Sequence, residues 1–243
     1  MKRIKKLEGK TVAIVGLGKS WFEYNLAASH GEHFDEVWGI NAVGSVIFHD
    51  RTFMMDPPSR FLDSEDAGGQ TSGMQRLLLK GDKPIYTCQL DERCKNLTLY
   101  PIEEIVKDLQ CTYLNNTVAY AIAFALWNKV GGLRIYGIDF TYKGNLHFAE
   151  SGRACVEFWL SKCMHAGIEV GIAQSSTLLD TSIPLHEKLY GYHRLDDPML
   201  PLLQNDKVVV KKRSELTVTK NAPEPMLVGR HDDKTNPVEP NKW

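Results

Sequence analysis

The chain has 243 residues, a formal net charge of −1, 43% hydrophobic residues and 24% charged ones. That length fits one large α/β domain, the balanced charge gives no basic surplus of the kind that marks a dedicated nucleic-acid binder, and no apolar run approaches the roughly 20 residues that span a bilayer. Five cysteines, Cys88, Cys94, Cys111, Cys155 and Cys163, form no CxxC pair, which argues for reduced thiols and against a structural zinc.

In chain order, the basic start Met1-Lys2-Arg3-Ile4-Lys5-Lys6 lacks the apolar core of a secretory signal, and a cytoplasmic location is expected. Thr11-Val12-Ala13-Ile14-Val15 is a continuous β-rich run ending in Gly16, the pattern of a strand buried on both faces of a parallel sheet. After the turn Gly16-Leu17-Gly18-Lys19-Ser20, Ser20 is placed to cap a helix running to about Glu32, and Val37-Trp38-Gly39-Ile40 gives a second strand ending at Asn41. Arg51-Thr52-Phe53-Met54-Met55 reads as a third strand, stopped by Asp56-Pro57-Pro58. Residues 59–72 are polar and glycine-bearing and read as a loop, residues 73–80 as a short helix, and residues 84–87 as another strand.

A helix is expected over 101–109, where proline and two glutamates open the run. A second over 117–127 is apolar almost all round and therefore buried. Gly131-Gly132 ends it before a strand over 133–138, so that Asp139 sits at a strand's carboxyl end. A helix over 150–166 and a strand over 169–173 complete the pattern. The expectation is a single Rossmann-like α/β domain over 1–183, with a mainly parallel sheet flanked by helices, and a partly irregular extension over 184–243. Its last part, with Pro223, Pro225, Pro237 and Pro240 among polar residues, reads as a mobile or docked tail. The basic cluster Lys211-Lys212-Arg213 in that extension reads as solvated surface, which leaves nucleic acid disfavoured as a partner.

Open parallel sheets bind ligands beyond the carboxyl ends of their strands, which directs attention to Gly16, Gly18, Ser20, Asn41, Asp56, Asp139 and the loop after it. Gly16 and Gly18 allow backbone N–H groups to approach a phosphate, and Ser20 either binds that phosphate or caps the helix. The third glycine of the dinucleotide fingerprint is replaced by Trp21, and the second strand ends in Asn41 rather than an acid, so NAD chemistry is disfavoured; no GxxxxGK[ST] occurs either. Asn41 is a ribose or base contact, or a turn residue. Asn115-Asn116-Thr117 supplies ligand donors, or only the cap of the following helix. Asp56 and Asp139 are of a kind to hold Mg²⁺. His147, in the loop 142–147, is a general base or acid, or a surface histidine.

The segment 115–179 resembles the bacterial CMP-sialic acid-dependent sialyltransferases and the related motility-factor and 6-hydroxymethylpterin pyrophosphokinase-like proteins. Asn116-Thr117 before an alanine-rich helix, then Ile135-Tyr136-Gly137-Ile138-Asp139-Phe140, carries the closest likeness. His147 ahead of Glu157-Phe158, the turn Gln174-Ser175-Ser176, the Gly16-Leu17-Gly18-Lys19-Ser20 turn and Trp38-Gly39-Ile40-Asn41 add to it. Leu17 stands where the family has asparagine and Lys19 where it has proline, and no room for the family's lid lies between Tyr142 and His147, so sialic acid itself is not implied.

The resemblance implies a glycosyltransferase-like enzyme with a nucleotide-activated sugar as donor. Gly16, Gly18, Ser20, Asn41, Asn116, Thr117 and Tyr142 would hold the nucleotide, and His147 with Asp139 would carry catalysis. It requires no metal cofactor. A pyrophosphokinase-like phosphotransferase, with Mg²⁺ on Asp56 or Asp139, and a non-catalytic nucleotide or sugar-phosphate binding module remain the alternatives. The expected partner is a nucleotide-linked small molecule; the sequence identifies neither the acceptor nor the oligomeric state.

Overall fold

The computed structural model describes residues 1–65, 68–141, 144–189, 199–205, 207–212 and 215. The chain divides into two compact units, Met1–Pro184 and Leu185–Trp243. In the first, the strands are β1 (Thr11–Val15), β2 (Glu36–Ile40), β3 (Arg51–Phe53), β4 (Ile85–Thr87), β5 (Leu97–Leu99), β6 (Gly132–Tyr136) and β7 (Glu169–Ile172). The helices are α1 (Phe22–Ser29), α2 (Ser59–Leu62), α3 (Gly69–Lys80), α4 (Ile102–Leu109), α5 (Thr117–Trp127) and α6 (Leu146–His165).

The seven strands form one sheet in the order β5-β4-β3-β2-β1-β6-β7, and every neighbouring pair is parallel. This is the single Rossmann-like α/β domain that the alternation of strand and helix patterns predicts. From β1 the chain winds outward to β5, then crosses back through α4 and α5 to lay β6 against the other side of β1. Where the winding reverses, connections leave β1 and β6 in opposite directions and open a crevice above their carboxyl ends.

Both faces of the sheet are covered, which is why β1 reads as an unbroken apolar run. Val12 and Ile14 enter one core with Trp38, Phe53 and α5, while Ala13 and Val15 enter another with Tyr24, Val37 and Tyr136. Helix α5 is buried on nearly all sides, with Ala119, Ala121, Ala123, Ala125 and Phe124 inaccessible. Its alanines, the best helix formers, also let neighbouring elements come close. At the amino end of the sheet, Arg51 grips Glu36 with two nitrogens at 2.6 and 2.9 Å and donates to the Tyr86 hydroxyl at 3.0 Å. Trp38 Nε1 donates to the same carboxylate at 2.9 Å.

Several local expectations need correction. The expected loop 59–72 contains α2 and the first turn of α3. Pro58 already has helical angles, φ −54° and ψ −34°, so the proline pair that ends β3 also opens a helix, where a missing N–H is harmless. Gly73 lies inside α3, where a Cβ would meet Ser45 Oγ at 2.8 Å and Ala42 Cβ at 3.2 Å; its absence lets α3 pack against the 3₁₀ turn Asn41–Ser45 after β2. Strand β5 was not anticipated, being a three-residue edge strand with little apolar signal. Helix α6 starts at Leu146 because Asn145 caps it through the Phe148 N–H, so His147 stands in a first helical turn and not in a loop.

The second unit contains α7 (Leu185–Lys188) and an antiparallel hairpin of β8 (Met199–Gln204) and β9 (Lys207–Lys212), paired with Leu202 opposite Val209. The hairpin was not expected in the extension. Lys211 and Lys212 lie on β9; Arg213 and the tail 221–243 fall outside the described residues. Among the described residues no helix is long and apolar enough to cross a membrane.

Candidate functional site

A cavity of about 760 Å³ lies over the carboxyl ends of β1, β2, β3 and β6. Its floor and walls are the turn after β1 with Gly16, Leu17 and Gly18, the ends of β2 and β3 with Asn41, Met55 and Asp56, the N-terminal turn of α5 from Asn115 to Tyr120, and the segment after β6 from Gly137 to Thr141. Arg60, Gln70 and Phe148 complete the rim. The sheet therefore brings Gly16, Gly18, Asn41, Asp56, Asn116, Thr117 and Asp139 together from distant parts of the chain.

The glycine turn is built differently from its expected role. Gly16 donates its N–H to Tyr136 O at 2.9 Å, and Gly18 donates to Gly137 O at 2.8 Å. A Cβ on Gly16 would come within 2.5 Å of Ile138 Cδ1 and 2.6 Å of Gly137 O. The glycines are thus required by close contact with the segment after β6, whatever ligand approaches them.

Ser20 does not face the cavity and does not cap α1, whose N-cap position is Trp21. It is fully buried. Its hydroxyl donates to Asp139 Oδ1 at 2.6 Å and accepts from Gly137 N–H at 2.9 Å, while its own N–H donates to Asp139 Oδ2 at 2.8 Å. Asp139 is 2% exposed. Its carboxylate occupies the place at the start of the 3₁₀ turn Lys19–Trp21 where a ligand phosphate was expected, because orphan N–H groups at such a turn attract an anion. The expectation of phosphate binding by Ser20 is corrected for that reason.

Asn41 follows β2 and opens the 3₁₀ turn with φ +52°, a left-handed conformation that asparagine tolerates better than most residues. Its Oδ1 is buried and has no hydrogen-bond partner among the described residues. A buried carbonyl in that state costs free energy unless a donor arrives. Phe140, across the cavity, is also left-handed at φ +47°.

Asn116 is the N-cap of α5, its Oδ1 accepting from Ala119 N–H at 3.0 Å. Its Nδ2 is tied to Asn115 Oδ1 at 2.8 Å and to Gly152 O at 3.2 Å. Asn115 Nδ2 reaches Ser151 O and Oγ on α6 at 3.1 and 3.0 Å. These amides fasten α5 to α6, and the first N–H groups of α5, with no intrahelical acceptor, give the cavity a positive helix end. Thr117 lines the same turn. The phenol of Tyr120, which also lines the cavity, is held above its ordinary pKa by burial and stays a neutral donor.

Asp56 forms an ion pair with Arg60, one helical turn on, and both line the cavity. His147 is exposed and adjoins Phe148, which does line it. Glu157 accepts from Leu179 N–H at 2.8 Å, which gives it a loop-holding role. The turn Gln174-Ser175-Ser176 is fixed by Glu23, which accepts from Gln174 N–H at 2.7 Å and from Ser175 N–H at 2.9 Å, and by Ser176 Oγ donating to Ile138 O at 2.7 Å. Burial pushes the Glu23 carboxyl up, but the bonds from Ser175 and Gln174 outweigh it and hold its pKa below the ordinary value. Tyr142 lies outside the described residues. No group of three or more His, Cys, Asp or Glu with metal-binding proximity occurs among the described residues.

Sequence reasoning missed Arg60, Gln70, Tyr120 and Phe148. The signal for Tyr120 was available, since it is one turn beyond Thr117 on a helix whose cap was recognised. Arg60 and Gln70 were hidden because their segment was read as loop.

No protein-family model matches the chain, and no curated protein matches it. Among solved structures it is similar to a point variant of the alpha-2,3/8-sialyltransferase CstII, at 16% identity over 70% of this chain and 84% of that one, with a TM-score of 0.46. It is also similar to CstII from Campylobacter jejuni in complex with cytidine-5'-monophosphate, at 15% identity over 70% and 82% of the two chains and a TM-score of 0.45. An apo alpha-2,3-sialyltransferase from Campylobacter jejuni gives 14% identity over 76% and 84%, with a TM-score of 0.42. Likeness at that level assigns no ligand to this chain.

Proposed function

We propose that the chain is a glycosyltransferase-like enzyme that binds a nucleotide-activated sugar in the cavity over β1, β2, β3 and β6. The observation that carries this reading is Asn41, which lines the same cavity as the N-terminal turn of α5 and whose Oδ1 is buried and unpartnered among the described residues. The first asks for a hydroxyl or amino donor, and the second suits a phosphate. A nucleotide joins both groups in one small molecule. The sequence resemblance set out above supports the same reading.

In this account Thr117 and the first N–H groups of α5 receive the phosphate, behind the Asn116 cap, while Asn41 takes a hydroxyl or amino group of the nucleotide. Gly16 and Gly18 form the floor against which it lies, and Tyr142 joins the nucleotide contacts. Transfer passes through an oxocarbenium-like transition state, and charge developing on the leaving phosphate is met by the positive end of α5. His147 takes the proton of the acceptor hydroxyl. Asp139 acts as a positioning residue, holding the two cavity turns in register through Ser20. The reaction requires no metal.

The phosphotransferase alternative needs Asp56 or Asp139 for Mg²⁺; Asp139 is buried and held by Ser20, and at Asp56 the guanidinium of Arg60 is a competing cation. His147→Ala tests the reading: transfer is abolished while nucleotide-sugar binding is retained. Full transfer in that variant removes His147 from the mechanism. A ligand bound and returned unchanged by the wild-type chain favours the non-catalytic module.

A further inference from the structure

The charged groups on the cavity wall are not equivalent. Asp139 is closed off by Ser20, whereas Asp56 has a side chain 27% exposed and Arg60 one that is 66% exposed. These two line the cavity beside Gln70. A carboxylate has about four acceptor positions, and the guanidinium of Arg60 uses only part of them. The pair therefore presents hydroxyl acceptors from Asp56 and N–H donors from Arg60, with the positive charge of Arg60 already balanced by its neighbour.

Resting on the proposed function, we infer that Asp56 is the specificity-determining residue for the transferred sugar, and that it selects an uncharged, hydroxyl-bearing sugar over one bearing a carboxylate. Hydroxyls of a neutral sugar donate to Asp56 and accept from Arg60 and Gln70. A carboxylate on the sugar meets the charge of Asp56 at close range and finds Arg60 already paired. A like charge set against the wrong sugar gives specificity alongside the contacts made to the right one.

The ribose of the nucleotide carries hydroxyls too, so the test separates the two. Dissociation constants are measured on the full chain for UDP, UDP-glucose and UDP-glucuronate, and for CMP and CMP-N-acetylneuraminate, with wild type, Asp56→Asn and Arg60→Gln. The wild type is expected to bind UDP-glucose about tenfold more tightly than UDP-glucuronate, and to gain nothing from the acidic sugar of CMP-N-acetylneuraminate over CMP. Asp56→Asn removes the repelling charge and frees Arg60, so it erases or inverts the preference while leaving UDP affinity unchanged; Arg60→Gln widens it.

Equal or tighter binding of the acidic sugars by wild type overturns the inference. A matching loss of UDP affinity in Asp56→Asn also overturns it, assigning Asp56 to the ribose. If none of the nucleotides or nucleotide sugars binds, the proposed function fails and the inference with it, an outcome distinct from nucleotide binding without sugar discrimination.

Discussion

Asp139 accepts both the backbone N–H of Ser20, at 2.8 Å, and its hydroxyl, at 2.6 Å, so one carboxylate joins the turn after β1 to the turn after β6. The same hydroxyl accepts from Gly137 N–H. The two ends of the strands that flank the crevice are thereby locked, and the cavity inherits its shape from a buried polar link.

Ser20→Ala removes that hydroxyl and leaves Asp139 Oδ1 and the Gly137 N–H unsatisfied in the interior. A loss of about 2–3 kcal/mol is expected, the range for unsatisfied buried groups with one charged partner. Urea unfolding measures it; a change below about 0.5 kcal/mol would contradict the link's structural role.

Gly18→Ala places a methyl against the Asp139 carboxylate and within 2.7 Å of Gly137 O. The variant should be destabilised by about 1–3 kcal/mol in the absence of ligand, as overpacking of a fixed site requires. Unchanged stability together with lost nucleotide binding would instead return the glycines to a ligand-contact role.

Much of the scaffold is legible in the sequence, and the reason differs by element. Thr11–Val15 and Thr117–Trp127 match the expected bounds of β1 and α5 because each is buried on both sides and its apolar run stops where burial stops. Strand β5 and the start of α3 were not legible, since the first is a short edge strand and the second opens on glycine and polar residues. At the site, the positions of Gly16, Gly18 and Asn41 followed from the strand ends, and those of Asn116 and Thr117 from the cap of the apolar helix α5. What Ser20 and Asp139 do for one another did not follow, because no sequence spacing predicts a contact between residues on neighbouring crossovers.

Arg51 and Glu36 are 6% and 8% exposed. Arg51→Ala leaves Glu36 buried with only partial hydrogen bonding, and should lower stability by about 3–5 kcal/mol. Replacing both with apolar residues of similar volume should recover most of that loss. Chemical unfolding of the two single variants and the double variant checks this, and additive losses would contradict the pairing.

The acid limb of the stability curve should carry the signature of Glu23. Its folded pKa lies below the ordinary value of 4.5, so the folded state favours the charged form. Its contribution is complete above the unfolded pKa and is lost as pH falls through the folded pKa. Glu23→Gln should therefore flatten the fall in stability on the acidic side of 4.5 while also lowering stability near neutral pH. An acid limb identical to wild type would show that the Gln174-Ser175 turn does not depend on that charge.

Asn41→Gly offers a separation of binding from folding. Glycine accepts φ +52° without strain, and Asn41 Oδ1 has no partner among the described residues to lose. Stability should hold within about 0.5 kcal/mol, while nucleotide affinity falls by about tenfold, the equivalent of one good hydrogen bond. Isothermal titration reads the affinity, and undiminished binding would mean that the buried carbonyl meets no ligand.

The central claim, a nucleotide site at the switch between β1 and β6, is tested most directly by thermal unfolding of the full chain with CMP, CDP, UDP, GDP, ADP or ATP, each with and without Mg²⁺. A ligand that binds only the folded state raises the midpoint by mass action. The account predicts a saturable rise with at least one of CMP, CDP or UDP that is independent of Mg²⁺ and that needs about tenfold more nucleotide in Asn41→Gly. No rise with any nucleotide would contradict it, and a rise confined to ATP with Mg²⁺ would contradict the glycosyltransferase reading built on it.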